Sequence, residues 1–355
     1  MNDYYSTTDF IKVPKYDAHI HHYHTLDDLF VRKTKKANMS FLSINTNFDF
    51  LTIDTQFEIS QFLHKRHPKT FNFIATFDAT TFASKTFAED TVKHIKNCMT
   101  AGAKGIKIWK NIGMTLKNEA RQYIMADDPV FDPIFTYLEK EKIPLLAHLG
   151  EPRNCWLPFE LMTTGIDRKY FSENPDFHMY LHPEMPSYER HIMARDHILE
   201  RYPELIFVGA HLGSMEWSLD EVAKRLDRFP SFYVDLSERF EEIYVQTIKN
   251  RNHVIDFFET YQNRILYGSD YFAFPHYSRW VNLFCKYFPH FCNNFWFMGL
   301  RRRIKNHWLF LATDKVVKMG RMTNKDDSPK HIEGLGLSKN AVDRIFYKNA
   351  VDIFK

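Results

Sequence analysis

Eight short apolar segments separated by amphipathic stretches constrain the fold of this chain more than any other feature. The apolar segments span residues 13–21, 40–46, 71–78, 105–109, 144–150, 206–213, 232–237 and 265–271. Apolar residues recur three and four apart between them, over residues 55–66, 88–99, 133–142, 216–229 and 253–261. This alternation predicts parallel strands that are joined by crossover helices.

Eight strands in sequence predict an α/β fold of the (β/α)₈ TIM-barrel type. The distance from the first strand to the last is about 260 residues, the size that is usual for such a barrel. A doubly wound open sheet is the alternative, but no G-x-G-x-x-G motif follows the first strand. We therefore expect residues 1–355 to form one barrel domain.

Two long inserts interrupt the alternation. Residues 151–190 follow the fifth strand, and we expect them to form a lid or a pocket wall. Residues 272–330 follow the eighth strand and should pack on the barrel or on a partner subunit, since they are too apolar for a free linker. Their large aromatic residues include Trp280, Phe288, Phe291, Phe295, Trp296 and Trp308. Ser338 is expected to cap a final helix over residues 339–354.

The charge balance argues against nucleic-acid or membrane partners. The chain has 47 basic and 44 acidic residues, so its net charge of +3 provides no strong field. The basic cluster at residues 301–305 is interpreted as a solvated helix face or a subunit contact. The sequence has neither a leader-like start nor 18 consecutive apolar residues, and we expect a soluble cytoplasmic protein with reduced cysteines.

A metal site is indicated near the start of the chain, where Asp17, His19 and His21 occupy alternate positions. Alternate side chains of a strand share a face, so both imidazoles could bind one divalent cation. Asp17 could then hold one ring in the correct tautomer. Two surface histidines near a terminus are the simpler interpretation of this segment alone.

Three later strands end in groups that complement this pair. His148, His211 and Asp270 follow the fifth, sixth and eighth apolar segments. In a barrel these side chains emerge at the C-terminal face, where barrel enzymes place their sites. Each alone fits a structural role, but their joint occurrence with the H-x-H motif favours a metal site.

With these motifs the chain resembles the amidohydrolase superfamily, and within it the amidohydrolase-related branch of decarboxylase-like metal-dependent hydrolases. The matching features are residues 17–21, 102–107, 147–148, 209–213, 268–270 and 349–350. The resemblance implies one divalent ion, with Zn²⁺ expected and Mn²⁺ or Fe²⁺ as alternatives. Its implied ligands are His19, His21, His148 and Asp270. His211 would lie beside the water that the ion activates, and the roles of His148 and His211 could be shared or reversed.

Lys107 raises the question of a second ion. Some relatives with two metals carry a carboxylated lysine at the end of the fourth strand, where Lys107 lies. The branch usually lacks this group, so we favour one ion. Lys107 would then pair with an acid or bind a substrate carboxylate.

The expected reaction is hydrolysis of an amide, ester or lactone in a small molecule. Asp270 would accept a proton from the activated water, and His211 would stabilise the developing oxyanion or assist the proton transfer. Non-oxidative decarboxylation of an aromatic or unsaturated acid is the first alternative. A catalytically inactive barrel that serves as a binding subunit is the second.

Basic and aromatic residues in the loops suggest a small, acidic, ring-bearing substrate. Glu151, Arg153 and Trp156 follow the fifth strand, and Arg239 follows the seventh. An arginine at the barrel mouth is suited to bidentate capture of a carboxylate. Both arginines could equally be ordinary surface residues.

Overall fold

The computed structural model describes residues 3–23, 27–47, 51–273, 287–319 and 329–355. Nine parallel strands form one curled sheet in the order β8-β7-β6-β5-β4-β3-β2-β1-β9. They are β1 Lys15–His22, β2 Met39–Ile44, β3 Phe71–Thr76, β4 Ile106–Ile108, β5 Leu145–Ala147, β6 Phe207–Gly209, β7 Phe232–Asp235, β8 Ile265–Leu266 and β9 Tyr271–Ala273. Every predicted strand segment overlaps an observed strand, and the predicted α/β barrel is confirmed.

The sheet closes on itself where the chain beyond β8 meets β1. Ala18 N donates to Tyr267 O at 2.9 Å, and Asp270 N donates to His19 O at 2.7 Å. The approach is close, because a Cβ atom on Gly268 would lie 2.7 Å from the His19 Cβ atom. The predicted eighth strand is therefore two short strands, interrupted where Asp270 adopts a left-handed conformation with φ of 51°.

Helices cover the outside of the sheet. Ser or Thr begins several of them as expected for N-caps: the Thr52, Ser187, Ser218 and Ser338 side chains each accept from a backbone N–H three residues later. The longer helices are Asp27–Lys35, Ile53–Arg66, Phe87–Thr100, Asp132–Lys140, Gly165–Glu173, Tyr188–Arg201, Leu219–Arg228, Phe240–Lys249, Arg251–Thr260 and Pro289–Ala312. The C-terminal segment is helical over Lys339–Asp343, Arg344–Lys348 and Asn349–Ile353, and the predicted cap at Ser338 is confirmed.

Apolar residues fill two layers. Buried residues from the strands form an inner cluster with Ala210, directly after β6, and with Ala350 and Phe354 of the C-terminal segment; the strand residues are Tyr16, Ala18, Leu42, Ile44, Ile74, Leu146, Val208 and Leu266. A larger cluster lies between the sheet and its helices. The polar site residues therefore lie at the end of the strands opposite a closely packed apolar core.

One β-bulge changes the alternation that the sequence predicts for β1. Asp17 pairs with Phe41 of β2 and Ile20 pairs with Ser43, so three steps along β1 match two steps along β2. The extra residue breaks the period of two between Asp17 and His19. The predicted common face of Asp17, His19 and His21 is wrong for Asp17.

The two inserts differ in structure. The fifth-strand insert contains the helix Gly165–Glu173 and four single-turn 3₁₀ helices. In the second insert the helix Pro289–Ala312 leads into β10 Val316–Lys318, which pairs with β11 His331–Glu333. Trp296 and Trp308 are buried, whereas Phe288 and Phe295 are exposed. Trp280 lies outside the described residues.

The cysteines of the described ranges differ in oxidation state. Cys98 and Cys155 are buried free thiols, but Cys292 is disulfide-bonded, so the expectation of reduced cysteines is wrong for Cys292. None of the helices in the described ranges combines the length with the apolar character that a membrane crossing requires.

Asn349 ties the C-terminal segment to the barrel and provides a test of the fold. Its buried amide donates to Gln262 O and Ile265 O, both at 2.7 Å. Asn349→Ala should lower the free energy of unfolding by about 2 kcal/mol, since two buried carbonyls lose their donor. Denaturant titration measures this change. Asn340→Ala removes an exposed amide from the same segment and should have a much smaller effect; equal effects would contradict this role of Asn349.

Candidate metal centre

A cavity of about 170 Å³ lies at the C-terminal end of the barrel strands. Its walls come from several strands and from the segments that directly follow them. The lining residues are His19, His21, Thr46, Lys107, Trp109, Lys110, His148, His211, Asp270 and Phe272. The structure thus brings together the histidines and the acid that the strand ends predict.

Three of these side chains converge most tightly. His19, His21 and Asp270 each offer a ligand atom, and these atoms all lie within 4.8 Å of one another. Asp270 Oδ1 is 2.9 Å from His21 Nε2 and 3.6 Å from His19 Nε2. The other carboxylate oxygen of Asp270 is 3.8 Å from His211 Nε2.

Each of these three imidazoles is oriented through its Nδ1 atom. His21 Nδ1 donates to Ile44 O at 3.0 Å, and His211 Nδ1 donates to Ser237 O at 2.8 Å. His19 Nδ1 donates to the carboxylate of Asp235 at 2.7 Å. Because carbonyl and carboxylate oxygens only accept, Nδ1 carries a proton in each ring, and a ring in its neutral form then has its lone pair on Nε2.

This arrangement leaves electron-pair donors facing one another and fits a bound cation. Burial would raise the pKa of Asp270, but interactions with His19, His21 and His211 hold it well below its usual value. Burial lowers the pKa of His21 despite the opposing effect of Asp270. An ionised carboxylate and a neutral imidazole lone pair 2.9 Å apart repel each other unless a proton or a cation lies between them.

His148 lies beside this group but outside it. Its ring centroid is 4.3 Å from that of His211, and it lines the same cavity. Among the described residues, the group with ligand atoms within 4.8 Å contains neither His148 nor His211. Burial lowers the pKa of both rings, to about 3 for His211, where Arg239 adds to the effect. Both imidazoles are therefore neutral near pH 7.

Asp235 is a site residue that the sequence analysis missed. It ends β7, and its second oxygen accepts from His211 N at 2.9 Å and Ser237 N at 3.0 Å. Burial would raise its pKa, but the interactions with His19, His211 and Ser237 together outweigh burial and lower the pKa. Its position at a strand end, like those of His148 and His211, is the signal that could have revealed it.

Asp235 also performs the role that the sequence analysis gave to Asp17. The Asp17 carboxylate accepts from Ser269 N at 2.8 Å and His19 N at 3.3 Å, and neither bond is to an imidazole. Asp17 thus fixes the backbone where β1 meets the eighth-strand segment. The bulge described above separates it from the face of the two imidazoles.

Two lysines bring positive charge to the cavity. Lys107 is 1% exposed, and burial lowers its pKa to about 8. Lys110 forms an ion pair with Glu151, which places Glu151 beside the cavity wall. Lys107 therefore lies in the same cavity as the histidines and Asp270.

The remaining predicted substrate-binding side chains lie outside the described cavity lining. Arg153 stacks on the Trp217 ring with its Cζ atom 4.1 Å from the centroid. Trp156 donates to Pro186 O at 3.2 Å, and Arg239 donates to Glu238 O at 3.1 Å. These three side chains therefore contact groups outside the cavity lining, although Arg239 is close enough to lower the pKa of His211.

A larger cleft of about 740 Å³ lies beside the helix Pro289–Ala312. It is lined by residues that include Glu238, Tyr244, Arg302, Arg303 and Lys305. Within the described ranges, the only group of metal-ligating side chains is the one in the smaller cavity. Chemistry rather than size therefore identifies the candidate site.

Solved structures with related architecture include three hydrolytic or hydrating enzymes. A putative 2-pyrone-4,6-dicarboxylic acid hydrolase from Pseudomonas putida is 11% identical; the match covers 96% of this chain and 97% of the other, with a TM-score of 0.48. A 4-oxalomesaconate hydratase from Rhodopseudomonas palustris is 11% identical over 69% and 66%, with a TM-score of 0.40. A D-hydantoinase is 10% identical over 73% and 57%, with a TM-score of 0.40.

The family assignment comes from the sequence itself. No curated protein matches this chain. A family model described as Amidohydrolase matches residues 79–355, a span that contains His148, His211 and Asp270 and begins after the H-x-H motif. The chain therefore belongs to the amidohydrolase family.

Proposed function

We propose that this protein is a metal-dependent hydrolase that cleaves a C–N or C–O bond in a small, acidic molecule. The observation that carries the proposal is the convergence of His19, His21 and Asp270 on one buried point. Two imidazoles and one carboxylate are a donor set that catalytic zinc sites use, with a further position left for water or substrate. His148, on the adjacent cavity wall, is the proposed fourth ligand.

We propose Zn²⁺ as the ion, with Mn²⁺ or Fe²⁺ as alternatives for the same donors. When bound, such an ion polarises a substrate carbonyl and makes a water molecule more acidic. The hydrogen bonds at Nδ1 of His19 and His21 prepare both rings for binding, since their lone pairs already point into the cavity.

Asp270 is the proposed general base. Its low pKa keeps the carboxylate ionised near neutral pH, and its second oxygen faces His211 rather than the other two rings. The carboxylate can accept a proton from the attacking water and donate it to the leaving amine or alkoxide. The left-handed backbone at Asp270 directs this side chain into the cavity.

His211 is proposed to stabilise the developing oxyanion or to assist the proton transfer. Its Nδ1 is held by Ser237 and its backbone N–H by Asp235, so the ring has one tautomer and one orientation. His211 also adopts a left-handed conformation, with φ of 58°. A ring fixed in this way loses little freedom when it meets the transition state.

Positive charge at the cavity supports an acidic substrate. Lys107 and Lys110 line the cavity, and either could pair with a substrate carboxylate. Glu151 forms an ion pair with Lys110. When a substrate carboxylate binds, Glu151 would either give up this ion pair or hold the lysine in the correct orientation. Contacts from Arg153, Trp156 and Arg239 to the substrate remain proposals that require the loops to reach the cavity.

An activity screen tests the proposal against its two alternatives. Protein stripped of metal with a chelator is reloaded with Zn²⁺, Mn²⁺ or Fe²⁺ and assayed on amides, esters, lactones and aromatic carboxylic acids. Metal-dependent hydrolysis supports the proposal. Stoichiometric release of carbon dioxide from an acid supports the decarboxylase instead, and tight metal binding without any turnover supports the inactive binding subunit.

Asp270→Asn should reduce turnover by roughly 10²–10⁴-fold, because the reaction loses its general base. Metal retention should also weaken, since the donor set loses its only anion. Elemental analysis and the rate on the best substrate measure both effects. Asp220→Asn, an exposed change on a helix, is the matched control; near-normal rates in metal-replete Asp270→Asn would refute the role.

His211→Asn should lower the rate more than the metal content. His211 lies outside the tight donor group, whereas His19 lies within it, so His19→Asn should lose the ion more completely. Metal content and rate are measured for both variants side by side. Equal loss of metal would require His211 to be counted as a ligand.

Lys107→Met tests whether this lysine is an unmodified, destabilising cation. Because its pKa falls from 10.5 to about 8 on folding, the unfolded chain binds one more proton between these pH values. The free energy of unfolding should therefore rise across this range, by up to about 3 kcal/mol from Lys107. Below pH 8 Lys107→Met should be more stable than the parent protein by that amount.

The measurement is denaturant unfolding of metal-free protein from pH 7 to pH 11. Lys93→Met, on an exposed helix face, should follow the parent curve. Parallel curves for Lys107→Met and the parent would show that Lys107 carries no depressed pKa. A carboxylated Lys107, as expected for a second ion, would appear as an added mass of carbon dioxide in native mass spectrometry.

A further inference from the structure

Arg303 connects the helix Pro289–Ala312 to two loops of the candidate site. Its Nη1 atom donates to Ser269 O at 3.0 Å and also forms an ion pair with Glu238. The guanidinium lies near the Tyr271 ring, with the Cζ atom 5.8 Å from its centroid. One nitrogen atom therefore bridges the segments that follow β7 and β8.

These two segments carry the polar groups that orient the site. Ser269 directly precedes Asp270, and Glu238 directly follows Ser237, the residue that accepts from His211 Nδ1. Both Asp270 and Glu238 have left-handed backbones, with φ of 51° and 54°. Such conformations are unfavourable for residues other than glycine, so surrounding contacts must hold them in place.

The other hydrogen bonds that hold the Asp270 segment come from residues of β1. Ser269 N is held by Asp17, and Asp270 N is held by His19 O. Arg303 binds the Ser269 carbonyl from the opposite side, where the helix Pro289–Ala312 packs. Both the N–H and the C=O group of the peptide unit between Ser269 and Asp270 are thus hydrogen-bonded.

We propose that Arg303 is a positioning residue that fixes the Asp270 carboxylate relative to the His211 ring. The proposal rests on the proposed function of Asp270. The Arg303 and Glu238 side chains are 37% and 32% exposed, so their ion pair contributes little to global stability. A local effect on the site can therefore be separated from a general loss of folding.

The test compares Arg303→Gln, Arg303→Lys and the parent protein, with Arg302→Gln as the matched control. Arg302 is exposed and, like Arg303, lines the larger cleft beside the helix Pro289–Ala312. Hydrogen exchange of peptides covering residues 265–273 is measured on metal-free protein by mass spectrometry. Zn²⁺ affinity is measured by chelator competition, with His19→Asn as the blank for other binding, and thermal unfolding reports global stability.

Arg303→Gln should exchange faster around residues 269–271 and bind Zn²⁺ roughly 10–100-fold more weakly, the range for residues that orient a metal ligand. Its unfolding temperature should stay close to that of Arg302→Gln. Arg303→Lys should recover part of both effects, because an ammonium group can reach one of the two oxygens but cannot reproduce the planar guanidinium.

Unchanged exchange and unchanged Zn²⁺ affinity in Arg303→Gln would overturn the proposal. A large drop in unfolding temperature with uniform exchange across the chain would assign Arg303 a general structural role and would also overturn it. If the parent protein fails to bind Zn²⁺, the proposed function fails, but exchange at residues 269–271 still decides whether Arg303 holds this segment.

Discussion

The candidate site depends on electron-pair donors that the fold brings together in one cavity. His19, His21 and His211 each use Nδ1 for a bond to the protein, so their Nε2 lone pairs face the ionised Asp270 carboxylate. In a low-dielectric interior such a cluster is costly unless a positive charge joins it. The surrounding hydrogen bonds hold the donors together, so all of them would attract a cation placed between them.

Most of the fold could be predicted from the sequence because the barrel strands are short, apolar and regularly spaced. All eight predicted strand segments are observed, as is the cap at Ser338. The predictions of one continuous eighth strand and of regular alternation along β1 were wrong. The break at Asp270 and the bulge after Asp17 both arise where neighbouring strands meet, and contacts between remote segments leave no periodic signal in either sequence.

The site was predictable to the extent that strand ends determine it. His19, His21, His148, His211 and Asp270 line one cavity, as residues at the C-terminal ends of barrel strands should. Asp235 was missed because an acid at a strand end serves equally well in a turn. The side chains of Arg153, Trp156 and Arg239 contact Trp217, Pro186 and Glu238, and their role in substrate binding stays a prediction because the paths of the loops depend on tertiary packing.

The closure of the barrel between β1 and β8 has a consequence for how this protein would respond to a bound cation. Within the described residues, backbone bonds from Ala18 to Tyr267 and from Asp270 to His19 join the two sides, and β9 pairs with β1 beyond them. A cation bound by His19, His21 and Asp270 would link β1 to the segment that follows β8. Occupancy would then raise resistance to unfolding by mass action, so that metal supply in the cell would govern the lifetime of the folded chain as well as its chemistry.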